Sequence, residues 1–218
     1  MHIRYSALML SVVSVLCAAS AQAATITYND SIPLSTTNWS DSVSIPKFDT
    51  SLGTLTSIDF YLEGFVQGSA KFESLDAAPA TVNMNLQAEI TLERPDNTDL
   101  VVTLPVAATS DNVTAHDGLI DFDGTSGKTY PTLSDTDNNA FTTFNPVDFL
   151  LFSGIGNIVL PVDAVGQSNG SGAGNLILQF MTNASAYVEV TYKYDEVPEP
   201  ATLSLLAFGA LALIRRRR

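Results

Sequence analysis

Cysteine is nearly absent: the 218 residues contain one, Cys17, close to the start. Past that point the chain can form no disulfide, no cysteine-ligated zinc site and no thiol nucleophile. Histidine is almost as scarce, with His2 and His116 only, so no His–His metal pair is available. Basic residues are few and badly distributed. Arg4 and Arg215–Arg218 are five of the ten, and Glu199 is one of the 23 acids. That leaves 22 acids against five bases between Ala24 and Val197, a net charge of −17. A domain this acidic repels nucleic acid and anionic membrane surfaces. Charged residues of both signs are still only 15% of the chain and hydrophobic ones 45%, which excludes a solvated disordered tail and allows a proper core. No internal repeat is found, which argues against a propeller or solenoid.

The two ends carry addresses. Arg4 precedes an apolar run, Ala7–Leu16, and Ala21-Gln22-Ala23 forms an A-x-A site. These are the parts of a secretory signal peptide over residues 1–23, cut by signal peptidase between Ala23 and Ala24. Leu16 precedes Cys17 where a lipoprotein signal needs a small residue. At the other end, residues 197–218 read V-P-E-P, then an uncharged run Ala201–Ile214, then Arg215, Arg216, Arg217 and Arg218. Pro198 and Pro200 break the preceding structure, and Pro200 is tolerated where a helix begins. Fourteen residues make a helix of about 21 Å at roughly 1.5 Å per residue. A bilayer core is about 30 Å thick, so 201–214 is a short span with a basic cluster on its cytoplasmic side.

Pro198-Glu199-Pro200, the apolar segment with Gly209 and the arginine cluster resemble the PEP-CTERM sorting signal of Gram-negative bacteria. The resemblance implies recognition by exosortase, transient insertion in the inner membrane, removal of the tail near Pro198–Pro200, and delivery to the cell surface or extracellular matrix.

Residues 24–196 read as one β domain. In Thr81–Glu93, Val82, Met84, Leu86, Ala88, Ile90 and Leu92 alternate with polar residues over the whole stretch, the period of a half-buried strand. Leu55–Val66 repeats this through Ile58, Phe60 and Leu62. Gly64 and Gly68 suggest a bulge or bend, with Lys71–Leu75 as the partner strand. Arg94-Pro95-Asp96-Asn97 is a turn and Leu100–Val106 a returning strand. Ile155–Ala164 and Ala184–Tyr194 alternate as well. Pro146–Phe152 and Asn175–Met181 are each open to a short helix. His116–Asn139 and Gly166–Gly174 read as long polar joins. Short strands with turn-rich joins predict an all-β fold, an antiparallel β-sandwich of jelly-roll-like form. Ser57–Gly64, Leu75–Ala80, Gly118–Phe122 and Gly172–Leu176 are similar to the choice-of-anchor E domain. That resemblance implies an extracellular β-rich domain and no catalytic residues.

Chemical motifs are weak. Gly166-Gln167-Ser168-Asn169-Gly170 has the G-x-S-x-G pattern, but no helix start follows and no histidine lies after the serine. Gly127-Lys128-Thr129 resembles the end of a phosphate loop, with Phe122 where its first glycine belongs. Asp121 and Asp123, with Asp135, Asp137 and Asn139, offer closely spaced oxygens of the kind calcium takes. Ala140 and Pro146 stand where an EF-hand needs glycine and glutamate. An irregular calcium site joining both groups and a pair of solvent-facing Asx turns are the two readings. Trp39, Tyr28 and Phe48 form either a sugar-stacking face or core. No spacing singles out a carboxylate pair for glycoside hydrolysis.

The expected molecule is an exported, noncatalytic surface or biofilm-matrix protein without a required cofactor, meeting extracellular polysaccharide or surface proteins. A carbohydrate- or ice-binding module and a secreted polysaccharide hydrolase are the alternatives.

Overall fold

The period-two pattern governs what forms. The computed structural model describes residues 23–197. In β4 (Ala80–Glu93) Val82, Met84, Leu86, Ala88, Ile90 and Leu92 are all fully buried, and the residues between them are exposed or half-buried. The same alternation runs through β3 (Gly53–Ser74), β8 (Asn157–Gly166) and β10 (Leu176–Glu196). The remaining strands are β1 (Ala23–Thr36), β2 (Trp39–Pro46), β5 (Asp99–Thr103), β6 (Val106–Val113), β7 (Gly127–Thr143) and β9 (Asn169–Ser171). The helix α1 (Pro146–Phe152) has Asn145 as its N-cap and Pro146 in its first turn.

One sheet has the order β1-β10-β3-β7. The other has β2-β8-β4-β5, with β6 and β9 also on β4. Every pairing between these strands is antiparallel. Two interruptions keep register. Thr103 faces Ile90 and Val106 faces Gln87, so Leu104 and Pro105 only break one ladder, where Pro105 has no N–H to donate. Gly166 faces Ala88 and Asn169 faces Asn85, so β8 and β9 are likewise one ribbon. Taken as ribbons, first, last, third and sixth form one sheet and second, seventh, fourth and fifth the other. That is jelly-roll connectivity. Between the sheets Phe60, Leu62, Val188 and Val190 meet Ile45, Ile90, Leu160 and Val162 in the main core. A smaller cluster, Ala70, Phe72, Val82, Met84 and Val113, fills one end. The C-terminal residue of α1, Phe152, packs edge-on against Phe60 at 5.0 Å.

Side chains join the sheet edges. Asp30 on β1 accepts from Ser44 N on β2 at 2.8 Å. On the opposite side Asp135 and Asp137 of β7 accept from Val106 N (3.0 Å) and Leu104 N (2.9 Å), and Asn139 Nδ2 donates to Val102 O (3.0 Å). Edge N–H groups are thereby satisfied without a further strand.

Four local expectations are corrected. Lys71–Leu75 is no partner strand: β3 runs unbroken to Ser74, because β10 pairs with it along its whole length. The irregularity falls beside Gly68, where β7 carries one extra residue near Pro131. Asn175–Met181 is strand, since Leu176–Met181 pairs with Ser69–Ser74. Much of the polar join His116–Asn139 is β7, whose side chains bond edge groups and need no apolar alternation. Gly166–Ser171 follows β4, so the turn is confined to Gly172–Asn175.

Candidate functional site

Both ends of the sandwich come out at one pole. β1 and β10 are neighbours, and Ala23 is paired with Asp195 and Ala24 with Tyr194. On the other flank of β10, Glu196 is paired with Gly53. Val197 N still donates to Leu52 O at 3.2 Å. This packing requires glycine at position 53, because a Cβ there would stand 2.1 Å from Asp195 O. No linker separates the sheet from the sorting segment: Glu199 follows Val197 by about 7 Å of extended chain at most. The predicted cleavage residues Ala23 and Ala24 are the first two of β1. Ala21, Pro198, Glu199, Pro200, the apolar segment 201–214 and Arg215–Arg218 lie outside the described residues.

The same pole carries a largely apolar groove of about 580 Å³, lined by Phe48, Gly53, Leu55, Pro146, Phe149 and Leu150, to which Thr50, Thr54 and Ser153 also contribute. Leu150 is 81% exposed and Val197 61%. No helix among the described residues is long and apolar enough to cross a membrane.

The other sequence-predicted residues are dispersed. Asp121 lies in the 114–126 loop, where its Oδ1 accepts from Asp123 N at 3.1 Å in an Asx turn. Asp135, Asp137 and Asn139 stand on β7, with the edge bonds given above. Ser168 lies between β8 and β9, 2.8 Å from the Thr182 hydroxyl and bonded to the Gln87 backbone. β9 follows it where a nucleophile elbow needs a helix. Gly127-Lys128-Thr129 opens β7, with Lys128 paired to Asp111. Phe48 is core, Tyr28 packs against Tyr192, and Trp39 is half-buried with its Nε1 donating to Ala184 O. The aromatic trio therefore makes no open stacking face.

Two polar clusters were not singled out in the sequence. Arg94 in the β4–β5 turn forms a bidentate pair with Asp148 of α1 at 2.9 and 3.1 Å, and the Thr143 hydroxyl donates to the same carboxylate at 2.6 Å. The Arg94 hydrogen bonds hold the Asp148 carboxyl below its ordinary range, against the opposing effect of burial. The second cluster surrounds Glu73, a fully buried carboxylate at the end of β3. Its Oε1 accepts from Ser126 Oγ at 2.7 Å and its Oε2 from Phe122 N at 2.8 Å. Phe122 has a φ of 60°, a strained value for a bulky residue, and this aims its N–H at the carboxylate. His116 and Asp117 lie beside Glu73, with one potential ligand atom from each of the three residues within 4.8 Å of the others. The bond from Leu119 N is the first cause holding the Asp117 carboxyl below its usual value. An apolar-run search passes over Glu73 because it directly follows Phe72, against the strand's alternation.

The fold and its pole define an all-β antiparallel sandwich whose two ends leave side by side. Residues 196–218 match the PEP-CTERM protein-sorting motif, which begins on the last residue of β10. The motif indicates export with transient membrane anchoring, and it fits exosortase as the processing partner. The match does not extend into residues 24–195. No curated protein matches the sequence. Among solved structures, a chain of the infectious bursal virus-derived T=1 particle is similar at 17% identity and a TM-score of 0.17, over 90% of this chain and 47% of that one. A chain of infectious bursal disease virus Gx strain matches at 16% and 0.17, over 90% and 49%. The tailspike protein of Acinetobacter baumannii phage AM24 matches at 11% and 0.16, over 82% and 27%. The chain thus spans about half the length of the infectious bursal virus chains it matches, and TM-scores this low carry no argument.

Proposed function

We propose that this chain is a noncatalytic surface or matrix protein of a Gram-negative bacterium, released from the inner membrane by exosortase near Pro198–Pro200. Its sandwich, similar to choice-of-anchor E domains, then contacts extracellular polysaccharide or other surface proteins. The observation that carries the reading is the sorting motif at 196–218, starting where β10 ends. The acidic surface favours neutral or cation-bridged polymers over nucleic acid. The noncatalytic part is supported by Ser168, whose hydroxyl is engaged by Thr182 and the Gln87 backbone, and by the lack of any histidine after it.

The test is deletion of Val197–Arg218 followed by cell fractionation. The truncated protein is expected soluble in the periplasm, with the full chain at the surface or in the matrix. An unchanged location refutes the sorting role. Retention of the processed domain on the organism's own purified matrix polysaccharide tests the partner, and free passage refutes that part.

A further inference from the structure

We infer that Glu73, His116 and Asp117 form a binding site for a zinc-class divalent cation, separate from the oxygen-only calcium candidates. The geometry comes first. One ligand atom from each residue lies within 4.8 Å of the other two. Ligands on one zinc ion, each bound at about 2.0–2.2 Å, stand roughly 3–4 Å apart. The cluster therefore needs a closure of no more than about 1–2 Å to reach ligand spacing. Asp117 can supply it: it is exposed on the 114–126 loop and is followed by Gly118.

Two independent observations point to a cation. The first is an orphaned donor. His116 Nδ1 is buried and has no hydrogen-bond partner among the described residues. A buried polar atom left unpaired is costly, and an unprotonated imidazole nitrogen offers its lone pair to a metal. The second is an uncompensated charge. Glu73 is fully buried, yet the hydrogen bonds it accepts come only from neutral groups, the Ser126 hydroxyl and the Phe122 amide. None of the ion pairs among the described residues includes Glu73. The nearby Lys71 Nζ lies over the Phe122 ring, 4.4 Å from its centroid. A buried carboxylate is ordinarily matched by a counter-charge, and a divalent ion held with Asp117 would supply one. Each carboxylate oxygen has lone pairs to spare beyond the bonds it already accepts.

One imidazole and two carboxylates favour a first-row ion such as zinc over calcium, which takes oxygens alone. Three protein ligands leave a fourth position for water on the exposed Asp117 side. Bound there, the ion ties the loop from Thr114 to Ser126 onto the end of β3. Asp121, whose side chain serves its own Asx turn, stays outside the set.

Zinc titrated by calorimetry into the chelator-treated, detergent-purified full chain tests this. One zinc per chain is expected, with a thermal midpoint raised by about 5–11 °C at a hundredfold excess over Kd. His116→Ala and Asp117→Asn should each weaken binding at least tenfold, with Asp121→Asn unchanged. The zinc X-ray absorption edge should report one imidazole among oxygens. Glu73→Gln keeps acceptors and donors for Ser126 and Phe122, so it separates lost ligation from a lost loop. The site is refuted by no binding at 100-micromolar zinc (a concentration of about 10⁻⁴ M), or by binding that survives both His116→Ala and Asp117→Asn.

Discussion

Replacing Arg94 by alanine should destabilise the sandwich more than replacing Asp148, although both break the same pair. Asp148 is 4% exposed at its side chain and Arg94 20%. Without Arg94, the Asp148 carboxylate keeps only Thr143 as a side-chain donor and cannot reach water. Without Asp148, the guanidinium keeps the Asp99 carbonyl and the Thr98 hydroxyl and turns outward. Removing one partner of a buried pair costs about 3–5 kcal/mol. We assign about 4 kcal/mol to Arg94→Ala and about 3 to Asp148→Ala within that range. At about 2–4 °C per kcal/mol for a domain of this size, the midpoints fall by about 8–16 and 6–12 °C. The double variant Arg94→Met/Asp148→Leu should cost less than either single change, because an apolar pair leaves no buried charge. Urea denaturation followed by circular dichroism measures all three. The Asp148 carboxyl is held below its ordinary value, so its contribution is complete above the unfolded value near about 4 and drains as pH falls through the lower folded one. Arg94→Ala should flatten that acid limb. Single changes each costing under about 1 kcal/mol, or a double equal to their sum, would refute the reasoning.

Three further outcomes are expected. Tyr192 is buried with its hydroxyl donating to Pro46 O, and burial pushes its phenol far above the usual range. Its stabilisation is complete below about pH 10 and lost as pH rises from there; Tyr192→Phe should lose this alkaline limb in stability titrations. At Gly68 a Cβ would stand 1.8 Å from the Met181 carbonyl oxygen, so Gly68→Ala should force β3 from β10 and cost more than about 3 kcal/mol by denaturant titration. A ten-residue Gly/Ser insertion (about 17 Å of flexible reach) after Glu196 should leave the midpoint of the sandwich unchanged within about 1 °C, because Val197 contributes one backbone bond past the strand.

The core strands were readable because one face of each is buried, so β4, β8 and the second half of β10 announce themselves by alternation. Pro146–Phe152 and Asn175–Met181 were equally open to a short helix; the first is α1, and the second became strand through pairing with β3. β7 gave little signal because Asp135, Asp137 and Asn139 bond edge backbone, a role available to any short polar side chain. The Glu73 cluster was hidden for a different reason. Glu73 lies 43 positions before His116, the nearer of its two partners, and meets them only through the fold, a proximity that residue type alone does not reveal. The sorting segment was readable since its recognition depends on linear order, V-P-E-P, apolar run and arginines.

The place of β10 has a consequence in time. It is the last strand of the sandwich in sequence, yet it lies between β1, which opens the domain, and β3. Its partners emerge first and have no central neighbour until Leu176–Glu196 arrives. Contacts so distant in sequence form slowly. Until those last residues are made, the sheet is open at its middle. Closure falls due only when the residues bearing the sorting motif are next in line. Chain order thus makes the middle of this sheet the last part of the sandwich that synthesis can complete, directly before the sorting motif.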